Sequence, residues 1–311
     1  MNREHPPIFV IGVDRSGTTL LSLMLDSHSR IAIPYESHFF LKYYKNRTKL
    51  VGDLTNPETR LAVVTRILQE PYVRKWDQKL SPEEIPLKRC NSLEEMINEI
   101  YLAYAKHFGK DIWGDKTPEY IKDIHILNKM FPSCKFVHII RDGRDVALSI
   151  VDKWWGASDF MTAIRYWAYT VSCARKMLEM LPDDRYIELT FEDLVHDPEK
   201  QLSRIMEFLG LTFEANMLTN YTQKASLKVG SDIDQHHVHL TEKPSSSQAF
   251  KWKKNLRPCD QAVAFEIAGE VLTKLGYEAG VKAHPFKVLR KAYHRLKESY
   301  TWRVRNRINM D

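Results

Sequence analysis

No Cys-x-x-Cys pair, no internal repeat, no low-complexity tract and no membrane-length apolar run occurs in this chain of 311 residues. Its four cysteines, Cys90, Cys134, Cys173 and Cys259, are widely scattered. That spacing argues against a disulfide scaffold and a cysteine zinc site, and it points to a reducing compartment, the cytoplasm. The only early apolar run, Ile8 to Val13, has the length of a strand and follows a charged, Pro-containing leader, so no secretory signal is expected. Excess charge is also nearly absent from the body. The formal charge is +6, but residues 282–311 hold nine Lys/Arg against Glu298 and Asp311, which leaves residues 1–281 at −1. The basicity belongs to the tail, and no nucleic-acid partner is expected. His236, His237 and His239 invite a metal, but adjacent imidazoles do not easily converge and no second ligand pair has the right spacing, so no metal is expected. Ser245, Ser246 and Ser247, between Pro244 and Gln248, mark a loop.

One absence is more specific. Gly12, four residues, Gly17 and then Thr18-Thr19 keep the spacing of a phosphate-cradling Walker loop, between an apolar strand and an apolar helix. The position that needs Lys in a nucleoside triphosphatase holds Thr18, and a cation stands earlier, as Arg15. Without that Lys the loop should hold a shorter group through backbone N–H donors, hydroxyls and Arg15. A nucleotide with one charged group beyond its 5′-phosphate fits.

With 43% hydrophobic residues the chain can bury a full core. Strands are expected at Ile8 to Ile11, Lys135 to Ile140 and Tyr186 to Leu189, each followed by a helical pattern. This alternation implies an α/β fold with a parallel sheet flanked by helices, its ligands at the carboxyl ends of the strands. Residues 40–110, rich in aromatics and helix formers with Pro57, Pro71, Pro82 and Pro86 interrupting, read as a helical insertion. Helices from about Pro198 to Phe208 and from Cys259 to Leu275 should end at Gly210 and Gly276.

A second segment runs Phe136-Val-His-Ile-Ile-Arg-Asp-Gly-Arg-Asp-Val-Ala-Leu-Ser149. Arg141 at a strand's end and Ser149 two helical turns on could clamp one dianion, with Lys153 a turn beyond. Alone, Arg141-Asp142-Gly143-Arg144 could equally be a charged turn with a structural ion pair.

Together the two segments resemble the signature pair of the sulfotransferase family that uses 3′-phosphoadenosine 5′-phosphosulfate (PAPS). Tyr186-Ile-Glu-Leu-Thr-Phe-Glu-Asp-Leu194, Lys251-Trp252 and Leu275-Gly276-Tyr277 also look like family landmarks. The chain is most similar to bacterial stand-alone enzymes and tyrosylprotein sulfotransferases. The resemblance implies a P-loop-type sulfotransferase domain over residues 1–284, with PAPS as donor, 3′-phosphoadenosine 5′-phosphate (PAP) as product and no metal. It implies that Arg15, Ser16, Gly17, Thr18 and Thr19 hold the 5′-phosphosulfate, and that Arg141 and Ser149 bind the 3′-phosphate.

The tyrosylprotein branch further suggests Glu36 as the base, since it follows the Asp26-Ser-His28 turn, and Lys116, in Gly114-Asp-Lys-Thr-Pro118, as the catalytic cation alongside Arg15. Sulfuryl transfer needs a base for the acceptor hydroxyl or amine and cations on the leaving phosphate. On the bland reading Glu36 is a solvated carboxylate and Lys116 neutralises Asp115, while His38 is the reserve base. Asp14 stands where that branch has Pro, and His38 where it has Arg, so its acceptor does not carry over. Phe191, Trp252, residues 226–231 and Lys251 are candidate nucleotide or lid contacts. The tail, residues 285–311, reads as a basic amphipathic helix docked on the domain or in weak contact with a membrane surface. Small molecules, carbohydrates and peptides remain open as acceptors. The rival functions are a P-loop kinase of a small molecule and a non-catalytic PAP- or phosphate-binding protein.

Overall fold

The computed structural model describes residues 5–151, 153, 155–228 and 245–280. Strands β1 (Ile8–Ile11), β2 (Ile31–Ala32), β3 (Ile112–Asp115), β4 (Lys135–Ile140) and β5 (Tyr186–Thr190) form one sheet in the order β2-β3-β1-β4-β5. Every pairing is parallel. The three expected strands are present, with β5 one residue longer. β2 and β3 were not expected, because a two-residue strand and a four-residue Ile-Trp-Gly-Asp strand are too short to show a period. Gly114 matters to that pairing, since a Cβ there would approach the Ile8 carbonyl oxygen to 2.8 Å.

Alternate residues of the central strands feed two apolar layers. Phe9, Ile11, Phe136 and Ile140 join Phe40, Tyr101, Ile164 and Trp167 on one face. Ile8, Val10, Val137 and Ile139 join Leu21, Leu25, Leu202 and Met206 on the other. Both faces are therefore covered by helices, as parallel sheets require. Phe9 stacks on Phe136 at 5.8 Å and meets Phe40 and Trp113 edge-on at 6.1 Å. Burial of each such ring stabilises the fold by about 1.5–3 kcal/mol.

The insertion over residues 40–110 is helical, with helices at Phe40–Lys45, Arg47–Leu50, Pro57–Leu68 and Leu93–His107. Two of its prolines start elements rather than break them: Pro57 opens a helix capped by the Asn56 side chain, and Pro82 opens a 3₁₀ turn. The two later helices run Pro198–Leu209 and Pro258–Lys274. The glycines beyond them, Gly210 (φ 72°) and Gly276 (φ 78°), adopt the left-handed conformation that favours Gly.

All five strands deliver a candidate site residue just past their carboxyl ends. β2 leads to Glu36, β3 to Lys116, β1 to the Arg15 loop, β4 to Arg141 and β5 to Phe191. The tail (residues 285–311), residues 229–231 and the three histidines near 236–239 lie outside the described residues.

Candidate active site

The loop after β1 reverses direction at once. Ser16 N–H donates to the Val13 carbonyl at 3.0 Å, and Arg15 (φ 69°) and Gly17 (φ 94°) both sit in the left-handed region. Gly12 and Gly17 are needed for space: a Cβ on Gly12 would lie 2.6 Å from the Ile139 carbonyl oxygen, and one on Gly17 2.4 Å from the Phe191 ring. Gly17 caps the helix Thr18–Asp26 without any side-chain hydrogen bond. The N–H groups of that helix's first turn therefore face the loop, an arrangement that attracts an anion.

Two guanidinium groups close over this loop. Arg15 Nε donates to Ser149 Oγ at 2.9 Å, in the helix Gly143–Val151. Arg141 donates from Nη1 to the Arg15 carbonyl (3.2 Å) and from Nη2 to the Gln248 carbonyl (2.8 Å), pairs with Asp145 at 3.3 Å, and lies 4.5 Å over the Phe191 ring. Burial and then the charge of Arg141 disfavour the Arg15 cation. Like charges held this close are relieved by an anion between them. Among the described residues, Ser16 Oγ and Arg141 Nε are buried without a hydrogen-bond partner. Two donors in want of an acceptor, beside an uncapped helix end, fit a phosphorylated ligand.

The charged turn after β4 divides its work. Arg141 faces the loop, whereas Asp142 and Arg144 make the structural ion pair that the sequence also allowed. Both are fully buried, and two guanidinium hydrogen bonds of 2.9 and 2.7 Å join their side chains.

On the other side of the loop, Lys116 makes the decisive bridge. Its Nζ donates to Thr19 Oγ1 at 3.3 Å and is ion-paired with Glu36 Oε1. Asp115, its sequence neighbour, instead accepts from Tyr101 OH at 2.6 Å, so the bland pairing of Lys116 with Asp115 does not form. The other Glu36 oxygen meets His38 Nε2 at 2.8 Å. Burial works against the Glu36 carboxylate, but the Lys116 charge and hydrogen bonds from His38 and Lys116 outweigh it and bring its pKa down to about 2. Glu36 is thus no solvated carboxylate. It is four-fifths buried and fixed by two cationic side chains.

The approach to Glu36 is set by Asp26, at the end of the first helix. Its buried carboxylate accepts from Ile33 N–H at 2.9 Å and pairs with Lys110 and Lys224. His28 serves the same turn: Arg30 N–H donates to its Nδ1, and its Nε2 meets the Thr212 carbonyl at 3.1 Å.

A profile of the sulfotransferase family matches residues 6–215, which spans both loops, Glu36 and Lys116. The chain belongs to the sulfotransferase family. Protein-tyrosine sulfotransferase A of Caenorhabditis elegans is 26% identical over 287 residues, covering 89% of this chain and 68% of its own length. The protein-tyrosine sulfotransferase of Drosophila melanogaster is 27% identical over 291 residues, covering 89% of this chain and 52% of its own. The sulfotransferase domain of the Synechococcus PCC 7002 olefin synthase has the same fold, with TM-score 0.61 at 23% identity, covering 89% of this chain and 98% of that one. The sulfotransferase domain of the curacin biosynthetic pathway is similarly alike, with TM-score 0.60 at 22% identity, covering 89% and 99%.

The fold therefore brings together Arg15, Ser16, Gly17, Thr18, Thr19, Arg141 and Ser149 on one side and Glu36, Lys116 and His38 on the other. Lys153 lies in the turn after the Ser149 helix, half-buried. Lys251 approaches through its backbone, whose N–H donates to Asp145 at 3.2 Å, and Trp252 N–H does likewise at 2.7 Å. Phe191 is buried as the floor between Gly17 and Arg141. Sequence reasoning missed Glu119, Tyr72 and Asp145. Glu119 reaches His38 Nδ1 at 3.3 Å and the Tyr72 ring lies against the His38 ring, tilted by 31°, at 3.9 Å, contacts across 81 and 34 positions that no local pattern announces. Asp145 had a local signal, standing four residues after Arg141 at the start of the helix that follows β4.

Proposed function

We propose that this chain transfers a sulfuryl group from PAPS to a hydroxyl or amine acceptor by in-line displacement. The observation that carries this reading is Lys116, which touches both the anion loop, through Thr19, and the carboxylate that would serve as base. When bound, PAPS supplies an activated sulfuryl group attached to a phosphate leaving group. Arg15, Ser16, Gly17, Thr18, Thr19 and the first-turn N–H groups would hold its phosphosulfate end, and Arg141 with Ser149 its 3′-phosphate, with Lys251 and Lys153 flanking. Glu36 takes the acceptor proton, while Lys116 shifts its charge from Glu36 toward Thr19 and the leaving oxygens. Thr18 at the position of the nucleotidase Lys speaks against the kinase, and the prepared pair Glu36 and Lys116 against a passive binder. No helix among the described residues is long and apolar enough to cross a membrane. All four cysteines are thiols, which supports a cytoplasmic setting.

Calorimetry is the first test. PAP should bind at least tenfold more tightly than ATP or ADP, about 1.4 kcal/mol, because neither carries a 3′-phosphate. Equal affinity for ATP would restore the kinase. PAPS turnover against a panel of carbohydrate, phenol, lipid and peptide acceptors then tests the transfer itself, with product PAP as the readout.

A further inference from the structure

His38 occupies an unusual place. Its backbone is left-handed (φ 55°), a conformation that non-glycine residues adopt at a cost and that marks local constraint. The segment around it is pinned to the turn after β3: Ser37 N–H donates to Thr117 Oγ1 at 3.0 Å, Ser37 Oγ meets Tyr120 OH at 2.8 Å, and Phe40 N–H donates to the same phenol at 3.0 Å. That turn also carries Glu119. The imidazole therefore stands between two carboxylates, Glu36 at Nε2 and Glu119 at Nδ1, with Tyr72 across one face. Only an imidazolium can donate at both nitrogens; a neutral ring keeps one contact and turns a lone pair toward the other carboxylate.

Lys116 serves two places at once. An anion seated on the loop beside Thr19 competes with Glu36 for its charge, and a lysine drawn away leaves a four-fifths-buried carboxylate without that cation. We propose that His38, held by Glu119, is the positioning residue that keeps the Glu36 carboxylate oriented and charge-compensated while Lys116 turns to the anion loop. This rests on the sulfotransferase reading above. It assigns His38 and Glu119 a part in transfer without making either the proton acceptor, so the acceptor's proton still ends on Glu36.

The other groups around His38 agree with this placement. The buried carboxyl of Asp115 acts on it from the end of β3, Glu119, with Lys122 beside it, from the turn that follows, and Tyr72, with Lys75 over its ring, from the opposite side, while Lys116 reaches it only through Glu36. Burial lowers the imidazole's pKa, but hydrogen bonds with Glu119 and Glu36, and their charges, outweigh this and raise it to about 9.

The test uses the full chain, with His38→Gln and Glu119→Gln checked for folding by thermal melts. Nuclear magnetic resonance of labelled histidines, with the His38 signal assigned by its loss in His38→Gln, should show His38 titrating near 9 in the ligand-free protein. In Glu119→Gln that titration should move down by about one unit. Single-turnover sulfation, with an acceptor found in the panel, should slow as pH rises through the His38 titration. Glu119→Gln should shift that limb to lower pH, while His38→Gln should abolish it and cut the rate at neutral pH about tenfold with PAP affinity unchanged. A His38 signal titrating near its ordinary value of 6.5 overturns the proposal. So does turnover whose pH profile is the same in wild type and both variants, and that result leaves the transferase reading standing. Failure of the folded wild type to turn over PAPS with every acceptor overturns both.

Discussion

Glu36 and Glu192 are both mostly buried glutamates within the same cleft architecture, yet their environments drive them in opposite directions. Glu36 sits between Lys116 and His38 and stays a carboxylate far below the ordinary range. Among the described residues, Glu192 receives neutral donors, the Asp142 N–H at 3.0 Å and the Tyr277 hydroxyl at 2.8 Å. Burial, aided by the neighbouring Asp142 charge, lifts its pKa to about 7. The first glutamate belongs to a cluster in which Lys116 and His38 both meet its carboxylate. The second belongs to a clasp in which Asp142, Arg144, Trp252 and Tyr277 fasten residues 248–280 onto the ends of β4 and β5. Arg144 lies 3.5 Å over the Trp252 ring there. Charge partners, rather than depth of burial, separate these two glutamates.

Breaking the clasp should have the largest effect. Arg144→Ala leaves Asp142 buried and uncompensated, with an expected loss of about 3–5 kcal/mol of stability in chemical denaturation. A loss under 1 kcal/mol would show that the pair is structurally idle. Arg141 joins the two regions, and Arg141→Ala should weaken PAP binding by about 2–4 kcal/mol in calorimetry. Because it also donates to the Gln248 carbonyl, some thermal stability should go with it. Intact affinity in the folded variant would make Arg141 a purely structural tie.

Removing the carboxylate from the reactive cluster should act on rate alone. Glu36→Gln keeps the shape, so single-turnover sulfation should fall by roughly 10²-fold or more with PAP affinity nearly unchanged. Near-normal turnover would take Glu36 out of the mechanism and bring His38 in as the base.

A last test sharpens the contrast through pH. Because the folded-state pKa of Glu192 is raised, the native state binds its proton more tightly than the unfolded chain does. Stability is therefore lost as pH rises from 4.5 toward 7, and the penalty is complete above 7. Glu192→Gln removes it, so the variant should gain up to about 3 kcal/mol relative to wild type at pH 8 compared with pH 4. Denaturation curves that differ equally at both pH values would show that Glu192 does not titrate in this range.

Much of this protein was legible in its local spacing. The loop from Gly12 to Thr19, the interval from Arg141 to Ser149 and the glycines at 210 and 276 declare themselves because each function there is performed by residues close in sequence. The central strands were legible for a related reason: β1 is buried on both faces and reads as a continuous apolar run, and β4 does so apart from Lys135 and His138. What local pattern could not decide was which cation meets which carboxylate. The sequence sets Lys116 beside Asp115, but the parallel pairing of β2 with β3 carries Glu36 to Lys116 across 80 positions, and Tyr101 takes Asp115 instead. Glu119 and His38 meet the same way, through the docking of two turns at the carboxyl ends of neighbouring strands. The sequence alone determined the phosphate-type loop and the family it belongs to, because those are short-range backbone requirements. Only the tertiary structure decided the opposite shifts of Glu36 and Glu192, because those depend on the partners the sheet brings within hydrogen-bond distance.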